Sequence, residues 1–147
     1  MTAKTTTKNK QTESILAVVR DCDAALVTTV RPDGWPETRH LANMMNKAAT
    51  DLTLYFMTGR HSPKVEQITA NPKCSLYYYN DADHHSVRLF GTMKLIDDEK
   101  TRRAHWDDAF LKFGYSGVDD PEFVLLRFTP SEYKYYDADG LQSGKIK

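Results

Sequence analysis

The stretch Thr58-Gly59-Arg60-His61-Ser62-Pro63-Lys64 joins an apolar strand, Leu52-Thr53-Leu54-Tyr55-Phe56-Met57, to a short helix that Asn71-Pro72 ends. Ser62 is a good N-cap and Pro63 fits the first helical position, so backbone N–H groups point out of this helix start beside the Thr58 hydroxyl. Arg60 and Lys64 are then out of place. A cation in the first turn opposes the helix macrodipole by about 0.3–1 kcal/mol, a cost that a phosphate or carboxylate seated there removes. The chemistry suggested is anion binding. The plain alternative is a well-capped surface helix whose two basic side chains swing into water.

Composition limits what such a pocket can serve. With 147 residues the chain suits one domain with a real core. Lysine plus arginine equals aspartate plus glutamate at 20 each, so no field collects nucleic acid or an acidic membrane surface. Cys22 and Cys74 lack CxxC spacing and are too few for a disulfide framework, which fits a reducing compartment and gives zinc no ligand set. The apolar run Ile15 to Val19 is cut by Arg20, and Met1 to Gln11 is a threonine- and lysine-rich tail without an apolar signal core. A soluble, cytoplasmic protein with no metal and no membrane partner is expected.

The elements that must position the pocket follow from periodicity. Thr12 to Cys22 reads as a short amphipathic helix, with Ile15, Leu16, Val18 and Val19 at helical spacing. Ala24 to Val30 and about Glu37 to Asn43 form a hairpin across Arg31-Pro32-Asp33-Gly34, whose proline and glycine suit a type I turn. Neither face of the second strand is plainly core. Further strands are Cys74 to Tyr79 and Ser86 to Ile96, the latter with Gly91 as a bulge or close backbone approach. Asp97 can cap a helix running to Gly114, on which Trp106, Ala109, Phe110 and Phe113 make one aromatic stripe. Phe123 to Phe128 is an apolar strand that Thr129-Pro130 kinks before Glu132 to Tyr136 resumes. Tails are expected at residues 1–11 and 139–147, flanking one domain at 12–138.

Six short strands at hairpin-like spacing point to a mainly β fold with flanking helices, a closed or split antiparallel barrel of Greek-key type. No GxGxxG follows a strand, which disfavours a Rossmann fold.

In this order and spacing the chain resembles the pyridoxamine 5'-phosphate oxidase-like FMN-binding split barrels, most closely their general stress protein branch. The resemblance is carried by Ala25-Leu26-Val27-Thr28-Thr29 with Pro32-Asp33-Gly34, and by Leu54-Tyr55-Phe56-Met57-Thr58 through Ser62-Pro63-Lys64-Val65. It continues in Asn71-Pro72, Val87-Arg88-Leu89-Phe90-Gly91, Asp119-Asp120-Pro121 and Leu125-Leu126-Arg127-Phe128-Thr129-Pro130. It implies FMN at the interface of a homodimer. By position, Arg39 would hold the phosphate, His40-Leu41-Ala42 would supply backbone beside the ring, and Met57, Thr58, Ser62 and Lys64 would form the junction. Ser86 stands where the oxidase has a glutamine near the flavin, and Pro63 where it has a basic residue. Arg60 or His61 could supply the missing phosphate contact. Trp106 either covers the flavin from the partner subunit or packs in the core. The adjacent His84 and His85 would face opposite ways on a strand and are read as surface residues.

The resemblance implies an FMN-dependent oxidoreductase acting on an unidentified small molecule in a stress response. His40 is the one candidate for proton transfer, since no nucleophile has an adjacent base. A non-catalytic protein that stores, buffers or senses flavin is the alternative. A barrel taking a deazaflavin or heme is a third reading, disfavoured by the FMN-like junction. A true pyridoxamine 5'-phosphate oxidase is not expected, because those oxidases carry a basic C-terminal motif and Asp137 to Lys147 offers only Lys145 and Lys147.

Overall fold

The computed structural model describes residues 2–147, with side chains from Lys10 onward. Helix α1 (Thr2–Asp21) starts ten positions before the expected Thr12, so the tail expected over residues 2–11 continues a helix, while Met1 lies outside the described residues. No glycine or proline interrupts this stretch, and its lysine, glutamine and alanine residues are good helix formers. Ile15, Leu16, Val18 and Val19 are all buried, as their spacing predicts.

Seven strands make one antiparallel sheet: β1 (Ala24–Val30), β2 (Pro36–Ala42), β3 (Leu54–Gly59), β4 (Lys73–Tyr79), β5 (Ser86–Ile96), β6 (Phe123–Asp137) and β7 (Gly140–Lys145). Their order is β2-β1-β4-β5-β6-β3, with β7 paired to β6, so the chain crosses from one edge to the other between β2 and β3. Those two edges approach each other but no ladder joins them. The result is a split, unclosed barrel with one strand more than the six expected. The extra strand is β7, where a C-terminal tail was expected. Its alternation of Leu141, Ser143 and Lys145 with Gly140, Gln142 and Gly144 is too polar to read as a strand by itself, and it forms by pairing with Glu132 to Asp137.

The hairpin turn is as expected, with the Gly34 N–H donating to Arg31 O at 2.9 Å and Gly34 at φ 89°. Between β3 and β4 lies α2 (Pro63–Ala70), with Ser62 at its N-cap and Pro63 at its first position.

The helix expected from Asp97 to Gly114 is two pieces. Helix α3 (Glu99–His105) is capped by Asp98, whose carboxylate accepts from Thr101 N–H at 2.9 Å, while Asp97 pairs with Arg60. Trp106 then turns extended, and a 3₁₀ segment, Asp108–Phe113, starts behind an Asp107 cap and ends at Gly114 with φ 96°. Two caps in succession compete with a continuous helix, because Asp prefers helix starts to helix interiors. The aromatic stripe is broken accordingly. Phe110 is buried at 2 % exposure, whereas Phe113 is 48 % exposed.

The main core fills the barrel between α1 and the sheet, around Leu54, Phe56, Leu76, Tyr78, Leu89 and Phe128. A second cluster, Met57, Ile96, Phe110, Phe123 and Leu125, lies where β3 meets the α3 region.

Candidate functional site

β3 ends where α2 begins, and that corner brings three polar side chains together. Thr58, buried and opposite Val124 on β6, lies 3.1 Å from the Ser62 hydroxyl, and Lys64 Nζ donates to Thr58 Oγ1 at 3.0 Å. The Ser62 hydroxyl makes no cap hydrogen bond, so it turns to Thr58 while its backbone keeps the extended N-cap conformation. Lys64 is half-buried. Its pKa is lowered from the ordinary lysine value, first by burial and then by repulsion from Arg39. Among the described residues Lys64 has no carboxylate partner.

Arg39 approaches from β2. Its guanidinium donates to Thr29 Oγ1 at 2.6 Å, to Gln67 Oε1 at 3.2 Å and to Val27 O at 3.3 Å, with the Glu37 carboxylate at 3.5 Å. Thr29 Oγ1 also donates to Gln67 Oε1 at 2.5 Å, so α2 and β1 together clamp the guanidinium. Thr29 and Gln67 are both buried. These two holders of Arg39 were not singled out in the sequence. Their signal is a polar residue at an inward position: Thr29 alternates with Ala25 and Val27, and Gln67 is buried on α2 along with Val65 and Ile68.

The corner therefore gathers two cations and two hydroxyls. One of those cations lacks any counter-charge, which is the electrostatics of an anion cradle. Arg60 and His61, candidates for an extra anion contact, are committed elsewhere. Arg60 pairs with Asp97 at 2.7 Å and donates to Pro121 O at 2.8 Å, and the hydrogen bond to Asp97 raises its pKa. The His61 ring contacts the Glu122 carboxylate.

The remaining expected residues scatter around this corner. His40 faces solvent opposite Leu26, with no hydrogen-bond partner among the described residues. Leu41 packs on the main core, and Ala42 and Met57 join the second cluster. Trp106 packs edge-on against Phe123 at 4.9 Å and Phe110 at 5.6 Å, and donates from Nε1 to Asp108 at 2.9 Å, which is core-type packing for its indole. Ser86 is not brought to the corner within one chain. It starts β5, and it is Ile96, ten positions further along, that shares Leu125 with Met57, a separation of about 33 Å at about 3.3 Å per residue.

His84 and His85 lie in the β4–β5 loop, bonded to Tyr79 Oη at 2.6 Å and facing Asp83 at 3.2 Å. No cluster of metal-ligating side chains occurs among the described residues. None of their helices is long and apolar enough to cross a membrane.

Known proteins share this architecture. A protein related to general stress protein 26, of the pyridoxinephosphate oxidase family, from Clostridium acetobutylicum superposes with a TM-score of 0.78 at 24% identity, covering 91% of this chain and 96% of that one. General stress protein 26 from Bacillus anthracis gives 0.75 at 20% identity, covering 92% and 98%. A pyridoxamine 5'-phosphate oxidase-related, FMN binding protein from Nostoc punctiforme gives 0.68 at 21% identity, covering 92% and 94%. At these identities the likeness establishes the fold. No curated protein matches the chain. The family model described as pyridoxamine 5'-phosphate oxidase like matches residues 10–146, and the chain belongs to that family.

Proposed function

We propose that this chain is an FMN-binding flavoprotein, a cytoplasmic small-molecule oxidoreductase linked to stress response, with the flavin phosphate held at the Arg39, Thr58, Ser62 and Lys64 corner. The observation that carries the reading is Lys64, a half-buried cation beside a second cation with no carboxylate of its own. Such a cation is disfavoured until an anion lies beside it, and a phosphate monoester supplies that charge and the acceptors for both hydroxyls. The clamp from Thr29 and Gln67 fixes the guanidinium, so that its charge adds to that of Lys64 in attracting a phosphate. When bound, the flavin supplies the electron chemistry.

The chain's part is to seat and orient that group. His40, exposed on the outer face of the sheet, is the candidate to move a proton there. Ser86 and Trp106 would meet the ring only from a second subunit or by their uncovered edges, so the complete site is proposed to need a homodimer. Of the structural relatives, one is general stress protein 26 and another is related to it, and the stress role rests on those names.

A non-catalytic flavin store is the second reading. It is favoured by the solvent-facing position of His40, the one proton-transfer candidate.

The purified protein is expected to bind FMN and turn yellow, with riboflavin bound at least about 100-fold more weakly because it lacks the phosphate. Equal affinity for the two in a fluorescence titration sinks the assignment of the corner. Bleaching of the bound flavin by a reduced nicotinamide, followed by reoxidation with an added acceptor, separates turnover from storage.

A further inference from the structure

The two faces of β5 and β6 differ in charge. Met93, Leu126 and Phe128 point into the core, while Lys94, Arg127 and Thr129, alternating with them, point outward. Lys94 stands directly opposite Arg127, and Arg127 is opposite Tyr55 on β3. One step along the sheet, Thr92 pairs with Thr129 on one side and with Lys73 on the other. Directly opposed side chains on antiparallel strands have Cβ atoms about 5 Å apart and diagonal ones about 7–8 Å, so Lys73, Lys94 and Arg127 form one cationic strip. Like charges placed so are destabilising. Nothing on these rows offsets them: the six positions hold no carboxylate, and none of the three cations has an ion pair or side-chain hydrogen bond among the described residues.

Beside Lys73 and Thr92 the outer face dips into a cleft of about 460 Å³, within the range of small-molecule sites, about 300–1,000 Å³. Phe90 and Val30 give its lining an apolar part, and the Ser75 hydroxyl, which has no hydrogen-bond partner among the described residues, gives it a polar one. The charged groups lining it are Lys73 and Glu132. Glu132 faces Lys145 at 3.6 Å and stands in the row of Phe90, not in the rows of the strip. A ligand with its charge at one end therefore has one orientation, the anion on the strip and the neutral end against Phe90. A single phosphate carries about −1.5 to −2 at pH 7, too little to match three cations, whereas a diphosphate matches them. The Phe90 ring offers a stacking surface for a base.

We propose that this face binds a nucleoside diphosphate, with its phosphates over Lys73, Lys94 and Arg127 and its base against Phe90. The site shares no residue with the corner at Arg39, Thr58, Ser62 and Lys64 and does not rest on the flavin reading.

Calorimetric titration of ADP, AMP and pyrophosphate into the full chain at low salt, with and without FMN, tests it. Expected is saturable one-site binding of ADP that FMN does not displace, with AMP and pyrophosphate each at least about tenfold weaker. Lys94→Glu should abolish binding of ADP and of pyrophosphate, and because it sets a carboxylate opposite Arg127 the ligand-free melting temperature should hold or rise. Phe90→Ala should bring ADP down to the pyrophosphate level, with pyrophosphate binding and circular dichroism as in the parent. Should FMN fail to bind at all, the ADP result still stands, since these two variants locate it. Absence of saturable ADP binding at millimolar concentration, displacement of ADP by FMN, ADP no tighter than AMP, or undiminished ADP binding in either variant would overturn the proposal.

Discussion

Lys64 sits where an unliganded ammonium is poorly accommodated, since burial and Arg39 both act to remove its proton. A lysine whose folded pKa lies below its unfolded value carries fewer protons in the folded state across the interval between the two. Stability of the ligand-free protein should therefore rise as pH climbs through that interval towards 10.5, and the penalty is fully present below it. Phosphate bound beside Lys64 raises its pKa again, so FMN-loaded protein should lose this pH dependence in parallel thermal scans.

Lys64→Met follows from the same balance. It should cost about 10- to 100-fold in FMN affinity, the value of a charged hydrogen bond of about 1.5–3 kcal/mol, while the ligand-free melting temperature at pH 7 holds or rises. A variant that melts lower and still binds FMN would mark Lys64 as structural. Gln67→Leu differs, because it strands the Thr29 hydroxyl and the Arg39 guanidinium that Gln67 now accepts from. Both stability, by about 1–3 kcal/mol, and FMN affinity should fall together in urea melts and titrations. Thr58, Ser62 and Lys64 were legible in sequence because one strand-to-helix junction carries all three. The clamp on Arg39 was not, because its members sit on β1, β2 and α2 and meet only after the hairpin packs on the helix.

Gly91 marks the place where one element constrains another. It lies at the register shift between β5 and β6, and a Cβ there would sit 2.1 Å from Thr129 O and 2.8 Å from Pro130 Cα, both backbone atoms that cannot swing aside. Gly91→Ala should cost about 3 kcal/mol or more, a drop of about 10 °C in melting temperature, by forcing the two central strands apart. A loss under about 2 °C would show that the bulge relaxes freely. This feature was visible beforehand, since an isolated glycine inside a strand pattern has few other uses. The break at Trp106 was not, because the i, i+3, i+4, i+7 spacing of Trp106 to Phe113 outweighed Asp107, a cap residue inside the stripe. β7 was hidden for a related reason. Its polar alternation has no core face to declare, and only the second half of β6, extending past β3, gives it an edge to pair with.

At the scale of the whole molecule the outer face of the sheet mixes exposed apolar side chains with charged ones, Arg88 opposite Tyr77 and Lys134 opposite Arg88. The cross-strand pairs put Leu26 beside His40 and Tyr77, and Tyr79 beside Ser86, which in turn pairs with Tyr136 and, through it, Leu141. Leu26, Tyr79, Tyr136 and Leu141 are all exposed in the single chain, and large apolar side chains left exposed on one face are candidates for an interaction surface. His40 and Ser86 share this face, whereas the Arg39 guanidinium reaches to the other side of β2, towards α2. A flavin site using all of them needs a second copy docked on that face, related by a two-fold axis so that each chain contributes to both sites. Sedimentation velocity should accordingly show a homodimer. Leu26→Glu puts a charge between His40 and Tyr77 on this face, and should shift the protein to monomer at micromolar concentration while FMN affinity falls at least about tenfold. A dimer that survives Leu26→Glu moves the interface elsewhere on the barrel. A monomer retaining full FMN affinity would instead confine the flavin to the corner at Lys64 and leave His40 and Ser86 without a part in binding it.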